Sequence, residues 1–336
     1  MDGTGFWSWA YGVASRERTG SPGDLISKPL AVAVRLARRF KRDPIVRLQV
    51  GDRALLMPWS HNLPLILRSN PLYETEIGRL AQHLSESDGE VVMIDAGANI
   101  GDTIATLPKL PQAKFLCIEG SERYYELLRK NLESDPRVKL AFALLTDLRD
   151  QAKGAQIKEI EGTAHIEMTD DSSAAAPWRT LDELIELHPE FNQANFCKID
   201  CDGYDLRILK GGTAFLERAK PCLHLEFAPQ LWRSYGSCDI ADGLEFLFRF
   251  GYKEVLVYDN LGYFMAREPV QNSRVLSLLV DYAMRHPAWF YLNVIAFHES
   301  RMDLEQFYTR EVEAAAANAK DQGSSASTII SATRAM

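Results

Sequence analysis

The sequence has few cysteines, no long apolar run and no excess of positive charge. Its five cysteines, Cys117, Cys197, Cys201, Cys222 and Cys238, form an odd set without the spacing of a disulfide framework, so reduced and mostly buried thiols are expected. No apolar run approaches the roughly 20 residues that span a bilayer. The formal net charge of −8 argues against non-specific binding to nucleic acid, and no nucleic-acid partner is expected.

The two ends of the chain show little hydrophobic period. Residues 1–25 and the Ser- and Ala-rich tail over 322–336 are predicted to be disordered. The first 20 residues lack the basic-then-apolar order of a signal peptide, which together with the cysteines predicts a cytoplasmic protein. Residues 30–42 predict a basic helix that could make a peripheral membrane contact, although packing on the domain with solvated arginines is favoured. The predicted division is an N-terminal extension or cap over 1–88, a main domain over 89–300, and a C-terminal helix and tail over 301–336.

Strand-like and helix-like runs alternate from Val91 onward, which predicts an α/β fold with a doubly wound, mostly parallel sheet. Seven strands are predicted, at 91–95, 114–119, 137–144, 195–200, 221–227, 253–258 and 262–266. Asp259-Asn260-Leu261-Gly262 separates the last two strands and is typical of a hairpin turn, so we expect an antiparallel pair at one edge.

The first strand of this pattern ends on Asp95 and runs into a turn of small residues that contains Gly97 and Gly101. A dinucleotide fingerprint needs three glycines and places a pyrophosphate at the helix start. Only two glycines are present here, and Asp95 would repel a phosphate. An NAD-dependent oxidoreductase is therefore disfavoured, although it remains an alternative.

The acidic residues at the strand ends favour a different nucleoside ligand. The next strand ends on Glu119, about twenty residues after the glycine turn, where a ribose-binding acid is expected. S-adenosylmethionine combines a ribose diol, which Glu119 could bind, with a methionine amino group, which suits Asp95. The turn and the two acids together predict an S-adenosylmethionine site.

Three motifs resemble those of the FkbM-type S-adenosylmethionine-dependent methyltransferases. Asp95-Ala96-Gly97-Ala98-Asn99-Ile100-Gly101 looks like the first family motif, and Thr180-Leu181-Asp182-Glu183-Leu184 looks like its T-L-D-x-L element. The block from Lys198 to Gly212 resembles K-I-D-x-E-G-Y-E…L-K-G, with Asp202 and Asp205 where glutamates are usual. The resemblance is densest over 91–228 and implies a Rossmann-like class I methyltransferase fold, but it says little about the acceptor.

The position of each motif then gives the expected donor-binding residues. These are Asp95, Gly97, Ala98, Asn99, Gly101, Glu119, Gly120, Ser121, Asp147 and Glu74. Glu74 enters this set because Tyr73-Glu74 resembles a family pair expected to fold over the donor.

Catalysis is expected at the carboxyl ends of two neighbouring strands. Asp200 and Asp202 follow one strand, and Glu226 ends the next. Asp200 or Glu226 is expected to accept the proton of an acceptor hydroxyl, although capping of the following helix is an alternative role for these aspartates. The same three carboxylates could instead hold a divalent cation.

The acceptor is expected to be a sugar, a glycan or a small hydroxylated metabolite. Its candidate contacts are His61, Tyr73, His224 and Tyr204, although a satisfied core histidine is the favoured interpretation of His224. Lys198 is predicted to pair with a carboxylate such as Asp182. A catalytically silent donor-binding module remains the alternative to an active O-methyltransferase.

Overall fold

The computed structural model describes residues 43–147, 154–160, 162–169, 176–234, 240–286 and 290–321. The predictions for residues 1–25, for the basic helix at 30–42 and for the tail at 322–336 lie outside these residues, as does Cys238. The other four cysteines are free thiols. Among the described residues, no helix combines the length and the apolar character that a membrane crossing requires.

The described helices and strands follow one another in an alternating order. The strands are β1 (Ile45–Val50), β2 (Arg53–Pro58), β3 (Val91–Ala96), β4 (Ala113–Glu119), β5 (Val138–Phe142), β6 (Leu144–Leu145), β7 (Gly154–Ile160), β8 (Thr163–Thr169), β9 (Trp178–Arg179), β10 (Phe196–Ile199), β11 (Cys222–Phe227), β12 (Tyr252–Asp259), β13 (Phe264–Pro269) and β14 (Leu292–His298). The helices are α1 (Leu63–Ser69), α2 (Thr75–Asp88), α3 (Asp102–Thr106), α4 (Glu122–Leu132), α5 (Leu181–Leu187), α6 (Asp205–Lys210), α7 (Thr213–Ala219), α8 (Pro229–Ser234), α9 (Ile240–Arg249), α10 (Arg274–Arg285) and α11 (Leu304–Asp321).

The main sheet confirms the predicted α/β class. Its strand order is β13-β12-β14-β11-β10-β3-β4-β5, and the five strands from β11 to β5 are parallel. The hairpin of β12 and β13 lies at one edge and is antiparallel, as predicted. Shorter two-stranded sheets form from β1 with β2, β6 with β9, and β7 with β8.

The number of strands corrects the prediction, because the described part of the chain contributes eight strands to this sheet rather than seven. The missed strand is β14, which is inserted between β11 and β12 and pairs antiparallel with both. All seven of its residues are buried. A strand buried on both faces shows no alternation of polar and apolar residues, so the pattern gave no period to recognise.

The central strand β3 shows why this sheet lies inside the protein. Every residue of β3 is buried, and Val92 and Ile94 pack into one apolar cluster while Val91 and Met93 pack into another. Side chains alternate between the two faces of a strand, so these clusters are the cores on opposite faces of the sheet. Helices cover both faces, as a parallel sheet requires.

The helix starts explain two further local outcomes. Ser121 caps α4, because its hydroxyl accepts the Tyr124 N–H. Gly211-Gly212 separates α6 from α7. A Cβ on Gly211 would lie 2.4 Å from the Thr146 carbonyl oxygen, so this close approach requires glycine.

A buried carboxylate fastens the last helix to the body of the domain. Glu311 on α11 is fully buried and accepts two hydrogen bonds from the Arg79 guanidinium, at 2.6 and 2.7 Å, and one from the Tyr258 hydroxyl at 2.9 Å. Arg79 lies on α2 and Tyr258 on β12. The Glu311 carboxylate therefore links α2, β12 and α11, which are distant from one another in the sequence.

We predict that Arg79→Met destabilises the protein by about 2–4 kcal/mol, because it leaves the buried Glu311 carboxylate without its cation. The matched control is Arg310→Gln on α11, whose ion pair with Glu86 has side chains 39% and 46% exposed. That change should cost under about 1 kcal/mol. Urea unfolding measures both, and equal losses would contradict the role given to Glu311.

Candidate functional site

A cavity of about 580 Å³ opens at the carboxyl ends of the parallel strands. In the strand order, β4 lies on one side of β3, and β10 and β11 lie on the other. The cavity lies at β3, where the order reverses. Such a reversal of strand order is the usual ligand site of an open α/β sheet. The volume is within the range of small-molecule sites.

The turn after β3 is held close to the neighbouring strand end. Gly97 has φ 84°, and a Cβ there would lie 1.9 Å from the Asp200 carbonyl oxygen, so only glycine fits. The Gly97 and Ala98 N–H groups both donate to the Ile118 carbonyl oxygen, at 3.0 and 2.9 Å. Asn99 has φ 49°, a left-handed conformation that asparagine tolerates. The turn is thereby fixed between β4 and β10.

Glu119 joins this turn to the start of α4. One carboxylate oxygen accepts the Asn99 N–H at 2.9 Å and the other accepts the Ser121 N–H at 2.6 Å. Burial raises the pKa of Glu119 to about 7. The side chain lines the cavity, and each carboxylate oxygen keeps a second lone pair for a ligand hydroxyl.

Lys198 is the cation around which the carboxylates of the site are arranged. Its buried Nζ lies 3.1 Å from an Asp200 oxygen and 3.5 Å from an Asp95 oxygen. Burial alone would lower the pKa of Lys198, but Asp200 and Asp95 outweigh it and raise that pKa well above its usual value. The predicted pairing with Asp182 is wrong. Asp182 instead accepts the Ala214 and Phe215 N–H groups at the start of α7.

Asp200 and Glu226 are hydrogen-bonded to each other and hold their protons differently. Burial would raise the pKa of Asp200, but Lys198 lowers it below the ordinary value. Burial and the nearby Asp200 raise the pKa of Glu226 well above its ordinary value. Two carboxyl groups form a hydrogen bond only when one of them is protonated, so Glu226 is the acid that donates and Asp200 is the carboxylate that accepts.

Two more carboxyl groups enter the cavity from outside the sheet. Burial raises the pKa of Glu74 to about 8 and that of Asp102 to about 6, while Lys198 opposes both shifts. Glu74 precedes α2 with φ 55°. Beside it, Tyr73 is hydrogen-bonded to Tyr291. Carboxyl groups thus outnumber ammonium groups in the described wall of the cavity.

Most of the predicted site residues line this cavity. They are Gly97, Asn99, Glu119, Gly120, Ser121 and Glu74 among the donor-binding set, Asp200, Asp202 and Glu226 among the catalytic set, and His61, Tyr73 and Tyr204 among the acceptor set. Asp95, Ala98 and Gly101 belong to the same strand and turn but lie behind the lining.

Two predicted site residues lie elsewhere with other partners. Asp147 forms a buried ion pair with Arg207 at 2.8 Å rather than lining the cavity. His224 Nε2 lies 3.2 Å from a Glu76 oxygen inside the domain. His224 and Glu226 lie on the same face of β11, because side chains alternate along a strand. Glu226 lines the cavity, whereas His224 lies two residues earlier in the strand and does not.

Sequence reasoning missed several residues of the wall. Tyr291 precedes the unrecognised strand β14, and Asn260 and Leu261 form the hairpin turn between β12 and β13. The turn itself was predicted, so its place at the carboxyl edge was the available signal. Asp102 follows the glycine turn directly and could have been included on position alone.

The described residues contain no group of three or more His, Cys, Asp and Glu side chains arranged to hold a metal ion. The predicted alternative, in which Asp200, Asp202 and Glu226 hold a divalent cation, is therefore not supported by their arrangement. In that trio, Asp200 instead takes its positive partner from Lys198.

The chain matches one family by sequence. A family model described as "Methyltransferase FkbM domain" matches residues 95–265, which is just over half of the chain. No curated protein matches. The matched range begins at Asp95 and contains β4, β10 and β11, so it includes the sheet edge that forms the cavity.

Solved structures give only distant similarities. An FkbM methyltransferase from Methylobacillus flagellatus KT is 18% identical, with 41% of this chain and 32% of that chain covered and a TM-score of 0.28. This chain therefore spans about a third of that protein. An O-methyltransferase from Bacillus cereus in complex with SAH is 13% identical over 70% and 90% of the two chains, with a TM-score of 0.35. A putative O-methyltransferase from Klebsiella pneumoniae is 11% identical over 70% and 89%, with a TM-score of 0.36.

We predict that the ligand-free protein loses stability as the pH rises from about 5 to about 8. Glu74 keeps its proton up to about pH 8 in the folded protein, whereas the unfolded chain loses it near 4.5, so the free energy of unfolding falls across that interval. Glu74→Gln imitates the protonated acid and should flatten this decline. Scanning fluorimetry measures Tm, and a loss of about 1 kcal/mol would lower Tm by ~2–4 °C.

The matched control for this measurement is Glu186→Gln, at an exposed position of α5 outside the cavity. It should leave the slope of Tm against pH as in the wild type. An unchanged slope in Glu74→Gln would contradict the burial of a protonated Glu74.

Proposed function

The chain belongs to the FkbM methyltransferase family, and on that premise we propose that it transfers a methyl group from S-adenosylmethionine to a hydroxyl group of an uncharged sugar, glycan or small metabolite. The observation that carries the proposal is the position of Asp200, which lines the cavity directly after β10 and lies 3.1 Å from the Lys198 ammonium group. We place the reaction in the cytoplasm, where the described cysteines, all free, would stay reduced.

The donor half of the cavity lies over β3 and β4. Glu119 suits the ribose hydroxyls, and the main chain from Gly97 to Asn99 allows a close approach. Glu74 and Asp102 suit the positive charges of the donor, an ammonium and a sulfonium. A cation among these acids stabilises their ionised forms, so the surplus of carboxyl groups supports this donor.

The acceptor half lies on the other side of β3 in the strand order, over β10 and β11. Its wall includes Asp200, Asp202 and Glu226. A negative charge placed 4 Å from the Asp200 carboxylate would be repelled by about 4 kcal/mol at an effective dielectric constant of 20, and the Lys198 ammonium group offsets part of this repulsion. Phosphorylated or carboxylated acceptors are therefore disfavoured, and hydroxyl groups of uncharged molecules fit better.

In the proposed reaction the protein aligns the acceptor and takes up its proton. S-adenosylmethionine supplies, when bound, a methyl carbon activated by a sulfonium. As the acceptor oxygen bonds to that carbon, the carbon–sulfur electron pair stays on sulfur and the hydroxyl proton passes to the Asp200 carboxylate. Glu226 donates a hydrogen bond to Asp200, and the ion pair with Lys198 fixes the orientation of the Asp200 carboxylate. Tyr73 and Tyr204 would orient the acceptor and exclude water, whereas His61 lies at the glycine turn, 3.4 Å from Asn99 Oδ1.

The experiment is a screen with S-adenosylmethionine labelled on its methyl group. Neutral saccharides, lipid-linked glycans and small hydroxylated metabolites are each compared with a phosphorylated or carboxylated counterpart. We expect label in an O-methyl group of an uncharged acceptor, identified by NMR of the product. Asp200→Asn should then lower kcat by about 10²–10⁴-fold, the usual contribution of a general base.

Glu186→Gln is the matched control, since it alters an exposed acid outside the cavity and should keep full activity. Donor binding without transfer to any acceptor would favour the silent binding module. Full activity in Asp200→Asn would contradict the assigned base, and label on nitrogen would contradict O-methylation.

A further inference from the structure

The hairpin of β7 and β8 stands apart from the main sheet. Among the described strands, these two pair only with each other, with Ile160 opposite Thr163 at the tip. A lone two-stranded hairpin is marginally stable in water, so contacts with the rest of the protein must decide where it lies. The described contacts lead to the donor half of the cavity, because Ile157 and Gly162 are part of the cavity wall.

The tip of the hairpin is fastened to the glycine turn. The Asn99 side-chain amide donates to the Gly162 carbonyl oxygen at 2.6 Å. The His61 ring lies against the same glycine, and a Cβ there would be 2.9 Å from its Nδ1. Gly162 has φ 112°, so this tight fit is open only to glycine. The hairpin therefore touches the turn that the proposed function gives to the donor.

A second contact holds the hairpin to the start of α4, which follows β4. Glu159 on β7 accepts a hydrogen bond from the Ser121 hydroxyl and forms an ion pair with Arg123 at 3.4 Å. Ser121 follows Glu119 and caps α4, so this contact also lies at the expected donor site. Arg123 is 38% exposed in its side chain and Glu159 is 21% exposed. Contacts so close to solvent are weak enough to break and re-form.

We propose that the hairpin of β7 and β8 is a lid over the donor site, which opens for S-adenosylmethionine to enter and for S-adenosylhomocysteine to leave. Glu159, with Ser121 and Arg123, is the latch that holds it closed. The proposal rests on the proposed function, because the same residues line the donor half. Closure over the donor would exclude water during transfer, and opening would contribute to the rate of product release.

The test is the binding kinetics of S-adenosylhomocysteine to the full-length protein, followed by surface plasmon resonance. Glu159→Ala removes both contacts of the latch and should raise the association and dissociation rate constants together, by about five- to tenfold, with little change in Kd. A fixed wall predicts a different result, in which only the dissociation rate constant rises. The matched control is Glu126→Ala on α4, the helix that carries Arg123. It removes an exposed ion pair with Arg129 and should leave both rate constants unchanged.

Hydrogen exchange on the wild-type protein keeps the proposal testable if the variant folds poorly. Saturating S-adenosylhomocysteine should slow the exchange of the amides over 154–160 and 163–169 by at least about tenfold, while those of α10 stay unchanged. A rise in the dissociation rate constant alone, or unchanged exchange in the hairpin, would overturn the lid. If the wild-type protein binds neither S-adenosylmethionine nor S-adenosylhomocysteine, the proposed function fails and the lid with it.

Discussion

The site depends on one buried ammonium group between two carboxylates. Burying the Lys198 charge is costly unless it is paired, and the pairing is built into the sheet, because Lys198 and Asp95 are opposite each other in the register of β10 and β3. Asp200 follows two residues later and lies 3.1 Å from the same Nζ. The parallel pairing of two neighbouring strands thus brings the cation and the carboxylates together at the edge of the cavity.

This arrangement determines where the protons of the site lie. Asp200 is the carboxylate nearest to the ammonium group, and Lys198 lowers its pKa, whereas the pKa of Glu226 is raised well above its ordinary value and that of Glu74 to about 8. Adjacent carboxylic acids whose pKa values are pushed apart in this way are suited to different roles. An ionised carboxylate at this strand end has a free lone pair with which to accept a proton. The remaining acids favour a cationic donor over an anionic one.

The sequence predicted those parts of the molecule that local pattern determines. The glycine turn at Gly97, the acid at Glu119 and the α/β alternation are local, and the structure places the turn and the acid at the cavity. The features that the sequence could not predict depend on strand register and on burial. The partner of Lys198 lies on another strand, so no spacing along the chain reveals it. Strand β14 is buried throughout and gave no alternation, and Tyr291 was missed together with it.

The most direct test of the role of Lys198 is the pKa of Asp200 with and without that ammonium group. Protein labelled with ¹³C at the aspartate side-chain carboxyl gives one signal per residue, and Asp200→Asn identifies the one from Asp200. In the wild type this signal should stay at the position of an ionised carboxylate from about pH 5 to about pH 8. In Lys198→Met the Asp200 carboxyl loses its cation, so its pKa should rise and the signal should titrate at higher pH than in the wild type. The same Asp200 pKa in both proteins would contradict the account.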